Sequence, residues 1–287
     1  MLSGRLGLDK SRMPHSSRHG LVWLDRGRLQ VVSGCLYFVT GGGTLPPGEY
    51  QIPHQVVSMV LLGPGSSITH DALRLLASHG TGLAAIGEGG VRLYTAPPLV
   101  AATSALARRQ ATLWANPKTR IDVARQMYAL RLGEVLPHRD ITVLRGIEGA
   151  RVKESYRQRA QEFGIAWQGR RYDRTNPGAA DLPNQAINHA ASAVKSAAAI
   201  ACSAVAAIPQ LGFIHEDSSQ AFILDIADLF RDDVALTIAF SAARQAATAR
   251  EPIDKLVRLA ANERFAKEEV IDAMIDRIQQ VLLRDEK

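Results

Sequence analysis

The sequence predicts an α+β protein in which a small β-rich region precedes a larger, almost wholly helical one. Short apolar runs separated by glycine turns fill the chain from Gly20 to about Thr95. Beyond Pro97-Pro98, apolar residues recur at three- and four-residue steps, which indicates helices. At 287 residues the chain is long for a single domain. We therefore predict a β-rich domain over residues 1–97 and an α-helical domain over residues 98–287.

The β-rich domain is predicted to contain seven strand segments and one helix. The strands are the runs LVWLD, RLQVVS, CLYFVT, YQI, VVSMVLL, GLAAI and VRLYT. In the helix ITHDALRLLASHG, Thr69 is the expected N-cap and Gly80 the C-terminal stop. The glycine cluster Gly87–Gly90 lies between two strands, and GxxxxGK[ST] occurs nowhere in the chain. We interpret this cluster as a turn and not as a phosphate loop.

The second domain is predicted to consist of helices. Its main segments are Leu99–Trp114, Lys118–Leu132, Leu144–Phe163, Asn184–Ala207, a helix starting at Gln220, and a final helix containing Ile271 to Leu282. The stretch Ala190–Ile208 is mostly alanine and carries Lys195. Alanine favours membrane insertion only weakly and a central lysine opposes it, so we predict a buried helix there and no membrane partner.

Two composition features bear on the compartment and on the class of partner. Cys35 and Cys202 are far apart in apolar surroundings, which excludes a disulfide framework and a cysteine zinc site and favours a reducing compartment. No secretory signal is recognisable, so a cytoplasmic location is expected. Residues 101–180 hold 15 Lys and Arg against 7 Asp and Glu, within a net charge of +6 for the chain. This basic region indicates an anionic polymer, or alternatively a solvated helical surface.

The segment LGFIHEDSSQAFILDIADLF contains the first part of a candidate site. His215 follows a glycine turn, and the apolar spacing places Asp225 and Asp228 on one side of the next helix, beside its apolar stripe. A solvated helix edge bearing two carboxylates is the alternative interpretation. Asp232 and Asp233 extend the acidic run and are predicted to cap the following helix.

A second part of the candidate site is Glu148, which lies in a predicted helix between Gly146 and Gly149. The two glycines leave room for a ligand close to the helix backbone. Together with the histidine and the aspartates, this glutamate supplies hard oxygens and an imidazole nitrogen. That donor set suits Mn²⁺ or Mg²⁺ and suits zinc less well.

The motifs RGIEGAR, GFIH and LDIAD, found in this order, resemble the CRISPR-associated integrases that insert new spacers, the "Cas one" proteins, in their type I-E (Cascade-type) form. The resemblance extends from LVWLDRGRLQVVSG through IGEGGVRLY to the end of the acidic segment. It implies an N-terminal β-sandwich-like domain that makes dimer, partner and DNA contacts, and an all-α catalytic domain. It also implies a homodimer that works with the small "Cas two" protein on double-stranded DNA, namely protospacers and CRISPR repeats.

Carried over residue by residue, the resemblance implies that Glu148, His215 and Asp228 bind Mg²⁺ or Mn²⁺. It also implies that Asp225 is needed for activity, either through a transient second ion or by holding a metal-bound water. The acidic pair Glu216-Asp217 departs from the basic residue that often follows the histidine in this subtype. A second departure is Arg26, which stands where some members have a tyrosine that stacks on DNA.

The implied reaction is attack by the 3′-hydroxyl of a captured fragment on a phosphodiester at the repeat boundary, with the metal stabilising the developing charge. The alternative is a metal-dependent endonuclease acting on branched DNA in repair, and a non-catalytic DNA-binding scaffold is a third reading. Phosphate contacts are expected mostly from arginines, independently of DNA sequence. The DNA contacts predicted are Arg92, Arg131, Arg145, Arg171 and Tyr172.

Overall fold

The computed structural model describes residues 20–94, 104–171 and 180–283. Strands occupy the first of these ranges together with one helix, and helices fill the other two. The predicted α+β class is therefore confirmed. The predicted boundary between residues 97 and 98, and the predicted DNA contact Tyr172, lie outside the described residues.

The N-terminal region contains two sheets. Its strands are β1 Leu21–Leu24, β2 Gly27–Val32, β3 Cys35–Thr40, β4 Gly48–Gln51, β5 Met59–Leu62, β6 Ser67–Ile68 and β7 Gly82–Ala85. One sheet is parallel with the order β1-β5-β7, and the other has the order β4-β3-β2-β6. In the second sheet β3 pairs antiparallel with β2 and β4, while β6 joins β2 in parallel.

The central strand β5 of the parallel sheet is buried on both faces, as such strands usually are. Along β5 the side chains alternate between two apolar clusters. Val60 and Leu62 belong to a cluster shared with the second sheet, whereas Met59 and Leu61 belong to the core of the helical region. The β-rich region is thus joined to the helices through an apolar interface.

Helix α1, His70–His79, has the ends predicted from the sequence. The side chain of Thr69 accepts a hydrogen bond from the backbone N–H of Ala72, and Gly80 ends the helix in the left-handed conformation. The predicted strand VRLYT is wrong in its described part, because Leu93 forms only an isolated bridge to Ile86. The short helical turn Glu88–Gly90 lies between the two bridge partners and takes up much of the chain between them.

The helical region is built around one alanine-rich helix, as predicted. Its helices are α2 Ala105–Ala115, α3 Pro117–Leu132, α4 Ile141–Glu162, α5 Leu182–Ala204, α6 Ala221–Leu229, α7 Leu236–Ala246, α8 Ile253–Lys267 and α9 Val270–Leu283. Helix α5 packs against α6, α7, α8 and α9, and its small side chains allow these close approaches. No helix in the described ranges is long and apolar enough to cross a membrane.

Helix α6 continues into a π-helical turn, Arg231–Ala235, before α7 begins. The backbone N–H of Ala235 donates to the carbonyl of Phe230, five residues earlier. The predicted capping of α7 by Asp232 and Asp233 is wrong, because both lie inside the π turn, Ala235 enters α7 with helical dihedral angles, and no side chain caps α7. The π turn instead changes the direction in which the residues after Asp228 point.

Candidate functional site

The buried carboxylate of Asp225, on α6, organises the loop that carries the histidine. It accepts hydrogen bonds from the backbone N–H groups of Phe213, Ile214 and His215, at 2.6, 3.1 and 2.9 Å. Its Oδ1 also lies 2.7 Å from Nδ1 of His215. Asp225 is 0% exposed, so the alternative of a solvated helix edge does not hold for this residue.

The same loop is tied to helix α2. Trp114 donates from its indole nitrogen to the carbonyl of Gly212 at 2.9 Å, and the buried Gln110 bonds both the N–H and the carbonyl of Ile208. A Cβ on Gly212 would lie 2.4 Å from the carbonyl oxygen of His215, so only glycine fits there. The histidine is therefore carried on a backbone whose conformation is closely determined.

This arrangement orients the imidazole of His215. The hydrogen bond to Asp225 raises the pKa of His215 and places the Nδ1 proton on the aspartate side, so Nε2 is the nitrogen left for other partners. Nε2 lies 3.9 Å from Oδ2 of Asp228, one turn further along α6. An aspartate that fixes one imidazole nitrogen while the other faces a carboxylate is typical of histidines that bind metals.

Glu148 faces this pair from helix α4 and is held by two residues of α3. The hydroxyl of Tyr128 donates to its Oε2 at 3.3 Å, and Nη1 of Arg131 donates to its Oε1. Burial, followed by the neighbouring carboxylate, raises the pKa of Tyr128, so this phenol stays protonated. The glutamate is thus positioned by side chains, whereas Asp225 is positioned by backbone groups.

Two guanidinium groups link the carboxylates of the site. Arg131 also approaches Asp228, with Nη1 3.8 Å from Oδ2, and Asp232, with Nε 3.7 Å from Oδ2. Arg231 donates to Oδ1 of Asp228 and places Nη1 3.9 Å from Oε1 of Glu148. Burial raises the pKa of Asp228, and the two arginines oppose that shift. The site therefore joins four elements: α3, α4, α6 and the π turn.

The donors fit a hard divalent cation by their chemistry, since they comprise two carboxylates and an imidazole nitrogen fixed by Asp225. Within the described ranges, however, no three His, Cys, Asp or Glu side chains converge closely enough to hold a metal ion. The arginines bridge the carboxylates in this arrangement. Metal binding by Glu148, His215 and Asp228 stays a prediction.

Gly146 and Gly149 leave the surface of α4 open on either side of the glutamate. A Cβ at either position would meet no atom within 4 Å among the described residues. Packing therefore does not explain these two glycines, although each weakens the helix relative to alanine. The open surface matches the predicted room for a ligand.

The predicted DNA contacts differ in their exposure. The side chain of Arg145 is 45% exposed and donates to the carbonyl of Ile214, and that of Arg171 lies at the surface and contacts Gln168. Arg92 donates to Ser192 at 2.8 Å. Arg131 is only 4% exposed and donates to the site glutamate, and its contact with phosphate stays a prediction.

Sequence reasoning missed Tyr128 and Arg231 and gave two further residues of the site, Arg131 and Asp232, other roles. One signal was available, because Tyr128 and Arg131 are three residues apart and so share a helix face. The acidic Glu216, noted as a departure, pairs with Arg120 at 3.0 Å and lies 3.8 Å from Arg145. It therefore balances part of the basic charge beside the site.

Fold and site together define a class of protein: a two-sheet N-terminal region joined to a helical region that presents a histidine–carboxylate site. Comparison with known proteins gives the family. The family model for CRISPR associated protein Cas1 matches residues 129–264, which include all four candidate catalytic residues. The chain is 35% identical to CRISPR-associated endonuclease Cas1 3 of Methanospirillum hungatei, over 96% of this chain and 90% of the relative. It is 34% identical to CRISPR-associated endonuclease Cas1 of Escherichia coli K12, over 96% and 88%. The chain belongs to the Cas1 family.

Solved structures agree with this assignment. The TtCas1–DNA complex superposes with a TM-score of 0.83 at 30% identity and covers 94% of this chain and 99% of that one. A casposase bound to its integration product shares the fold, with a TM-score of 0.67 at 15% identity over 94% and 97% of the two chains.

Proposed function

We propose that this protein is a type I-E Cas1 enzyme, a metal-dependent DNA endonuclease and integrase that joins the 3′-hydroxyls of captured DNA fragments into the CRISPR repeat array. The observation that carries the proposal is the presentation of His215 by Asp225, with Nε2 toward Asp228 and Glu148 opposite. The names of the curated relatives as endonucleases, and the DNA bound to TtCas1, support a reaction on DNA.

Glu148, His215 and Asp228 are proposed to hold Mg²⁺ or Mn²⁺. When bound, the ion supplies a Lewis acid for the phosphate at which the bond is exchanged. Asp225 binds no ion in this scheme, because its carboxylate already accepts three backbone N–H groups and the imidazole Nδ1. It keeps Nε2 of His215 aimed at the site.

The chemistry proposed is a transesterification. The oxygen of a 3′-hydroxyl forms a new bond to phosphorus while the bond from phosphorus to the leaving 3′-oxygen of the repeat breaks, so the number of phosphodiesters is unchanged. Water in place of the hydroxyl gives hydrolysis, which is the endonuclease reading. The chain decides between them by positioning the hydroxyl rather than by different catalytic groups.

DNA is proposed to run across the open face of α4, between Gly146 and Gly149, with phosphate contacts from Arg145 and Arg171. Much of the remaining basic charge of residues 101–180 is already paired locally, as in Arg157 with Glu154. A homodimer, the small "Cas two" partner and a cytoplasmic location complete the proposal, as the type I-E resemblance implies.

The test uses this protein with its small partner, a repeat-containing plasmid, and a labelled fragment. We expect label to join the plasmid when the fragment ends in 3′-hydroxyls and Mn²⁺ or Mg²⁺ is present, and not when it ends in 3′-phosphates or EDTA is added. Asp228→Ala should abolish joining, and Asp276→Ala, an exposed acidic position on α9, should leave it unchanged.

Two results would contradict the proposal. If joining continues in EDTA with metal-free protein, the reaction does not depend on a metal ion. If the plasmid is cut at the same rate with and without the fragment, and no label is transferred, the protein is a hydrolytic endonuclease.

A further inference from the structure

We propose that Arg131 is a positioning residue that serves as the internal counter-cation of the site. Its guanidinium donates to Glu148 and lies within 4 Å of Asp228 and Asp232, which belong to three different elements, α4, α6 and the π turn. A single side chain from α3 therefore gathers all three carboxylates. Part of this inference, the competition with a divalent cation, rests on the proposed function.

The burial of Arg131 supports this role. Its side chain is 4% exposed, and a buried charge is stable only when opposite charges compensate it. The carboxylates in turn need the arginine, because carboxylates brought together in a buried site repel one another unless a cation lies among them. Arg131 and the three carboxylates thus stabilise one another in the absence of any ion.

The hydrogen bonding of Arg131 is incomplete. Its Nε and Nη2 atoms are buried and have no hydrogen-bond partner among the described residues, and neither does Oδ1 of Asp232. The 3.7 Å separation between Nε and Oδ2 of Asp232 is too long for a hydrogen bond. Charge, more than directed bonding, therefore holds this part of the site, and such contacts exchange partners readily.

A divalent cation would compete for the same oxygens. Glu148 Oε1 and Asp228 Oδ2 are the atoms that Arg131 faces, and they are also carboxylate donors of the proposed metal set. Arg231 differs, because its side chain is 31% exposed and can turn toward solvent. Arg131 is buried and cannot turn toward solvent in this way. An incoming ion therefore binds in the presence of its positive charge.

The experiment compares unfolding temperatures in EDTA and in excess Mn²⁺. Arg131→Met keeps the length of the side chain and removes its charge, and Arg131→Lys keeps the charge but loses the planar fork. In EDTA we expect Arg131→Met to lower Tm by about 10 °C, as for loss of one partner of a buried ion pair, and Arg131→Lys to lower it less. Mn²⁺ should raise Tm more in Arg131→Met than in the unaltered protein, because the ion replaces the missing charge.

Arg125→Met is the matched control. Arg125 lies on the same helix and is partly buried, but it bonds the carbonyl of Leu136 and touches no carboxylate of the site. Its loss should lower Tm equally in EDTA and in Mn²⁺. Where Mn²⁺ raises the Tm of the unaltered protein, a merely structural role for Arg131 predicts the same equal loss, and that result would overturn the proposal.

A double variant in EDTA separates this inference from the metal proposal. Adding Glu148→Gln to Arg131→Met removes one of the carboxylates left without a counter-charge, so Tm should recover by several degrees; additive losses would contradict the pairing. If Arg131→Met alone does not fold, recovery of a folded double variant supports the pairing and failure to recover overturns it. If Mn²⁺ shifts Tm in no variant, the metal proposal and the competition fail, while the pairing in EDTA is judged on its own result.

Discussion

The two halves of the site are built in different ways. In the histidine half, Asp225 is fully buried and saturated by three backbone N–H groups and the imidazole of His215. In the glutamate half, Glu148 and Asp228 are held by side chains, chiefly arginines, at less regular distances. A carboxylate fixed by the backbone cannot change its partners, whereas one fixed by guanidinium groups can. The difference supports the proposal in which Asp225 orients the histidine while Glu148 and Asp228 bind the ion.

The largest expected effect is on protein stability, and it tests the contrast between the two halves directly. Asp225→Ala leaves three N–H groups without their acceptor, two of them in buried hydrogen bonds, and we expect the free energy of unfolding to fall by about 4 kcal/mol. Asp228→Ala should lower it by less than about 2 kcal/mol, because that side chain is 16% exposed and its arginines keep other carboxylate partners. Denaturant unfolding in EDTA measures both values.

The contrast can be sharpened with Asp225→Asn. The amide keeps one acceptor oxygen but turns an N–H₂ group toward a backbone donor. The decrease in unfolding free energy for Asp225→Asn should therefore lie between zero and the decrease for Asp225→Ala. Equal losses for Asp225→Ala and Asp228→Ala would show that the two halves are not built differently.

A smaller effect is expected from the glycine that shapes the histidine loop. In Gly212→Ala the new Cβ would lie 2.4 Å from the carbonyl oxygen of His215 and 2.8 Å from the backbone carbon of Ala221. Because backbone atoms must move, we expect a loss of about 1–3 kcal/mol in unfolding free energy and a displaced histidine. Unfolding curves and the imidazole NMR signals of His215 measure the two effects. An unchanged imidazole signal would contradict the rigid loop.

The smallest effect has the opposite sign and concerns α4. Gly149→Ala adds a Cβ that meets no described atom, so it should stabilise the protein by about 0.5–1 kcal/mol. If DNA approaches the helix closely at this point, the same change should weaken fragment binding in a titration. Stabilisation without weaker binding would place the DNA elsewhere on the surface.

Most of the architecture could be predicted because it depends on local patterns. The capping of α1 by Thr69 and the helical part of the acidic segment follow from neighbouring residues. Helix α4 starts at Ile141, three residues before the predicted Leu144, because Asp140 caps it through the N–H of Thr142. The strand expected after the Gly87–Gly90 turn failed because only tertiary pairing decides between a bridge and a strand.

The residue types of the site could be predicted, but its hydrogen bonds and ion pairs could not. Glu148, His215 and Asp228 stand in motifs that the sequence displays, whereas the side chains that donate to Glu148 come from another helix, α3. Arg131 meets Glu148 across 17 residues, and no local pattern separates a buried counter-cation from a surface arginine. The arginine content of residues 101–180 predicted a surface for an anionic polymer, although Arg131, in the last turn of α3, is buried in the site.

The π turn after α6 restricts how the chain can change in length. A π turn contains one residue more than the α-helical turn it replaces, so deleting a single residue there would rotate α7 by about 100° relative to α6. The apolar face of α7, which includes the buried Phe240, would then point away from the core. Keeping α7 in place would instead require Arg231 and Asp232 to leave the site. Length in this segment is therefore fixed jointly by the core and by the chemistry, and insertions or deletions should be absent from working versions of the protein.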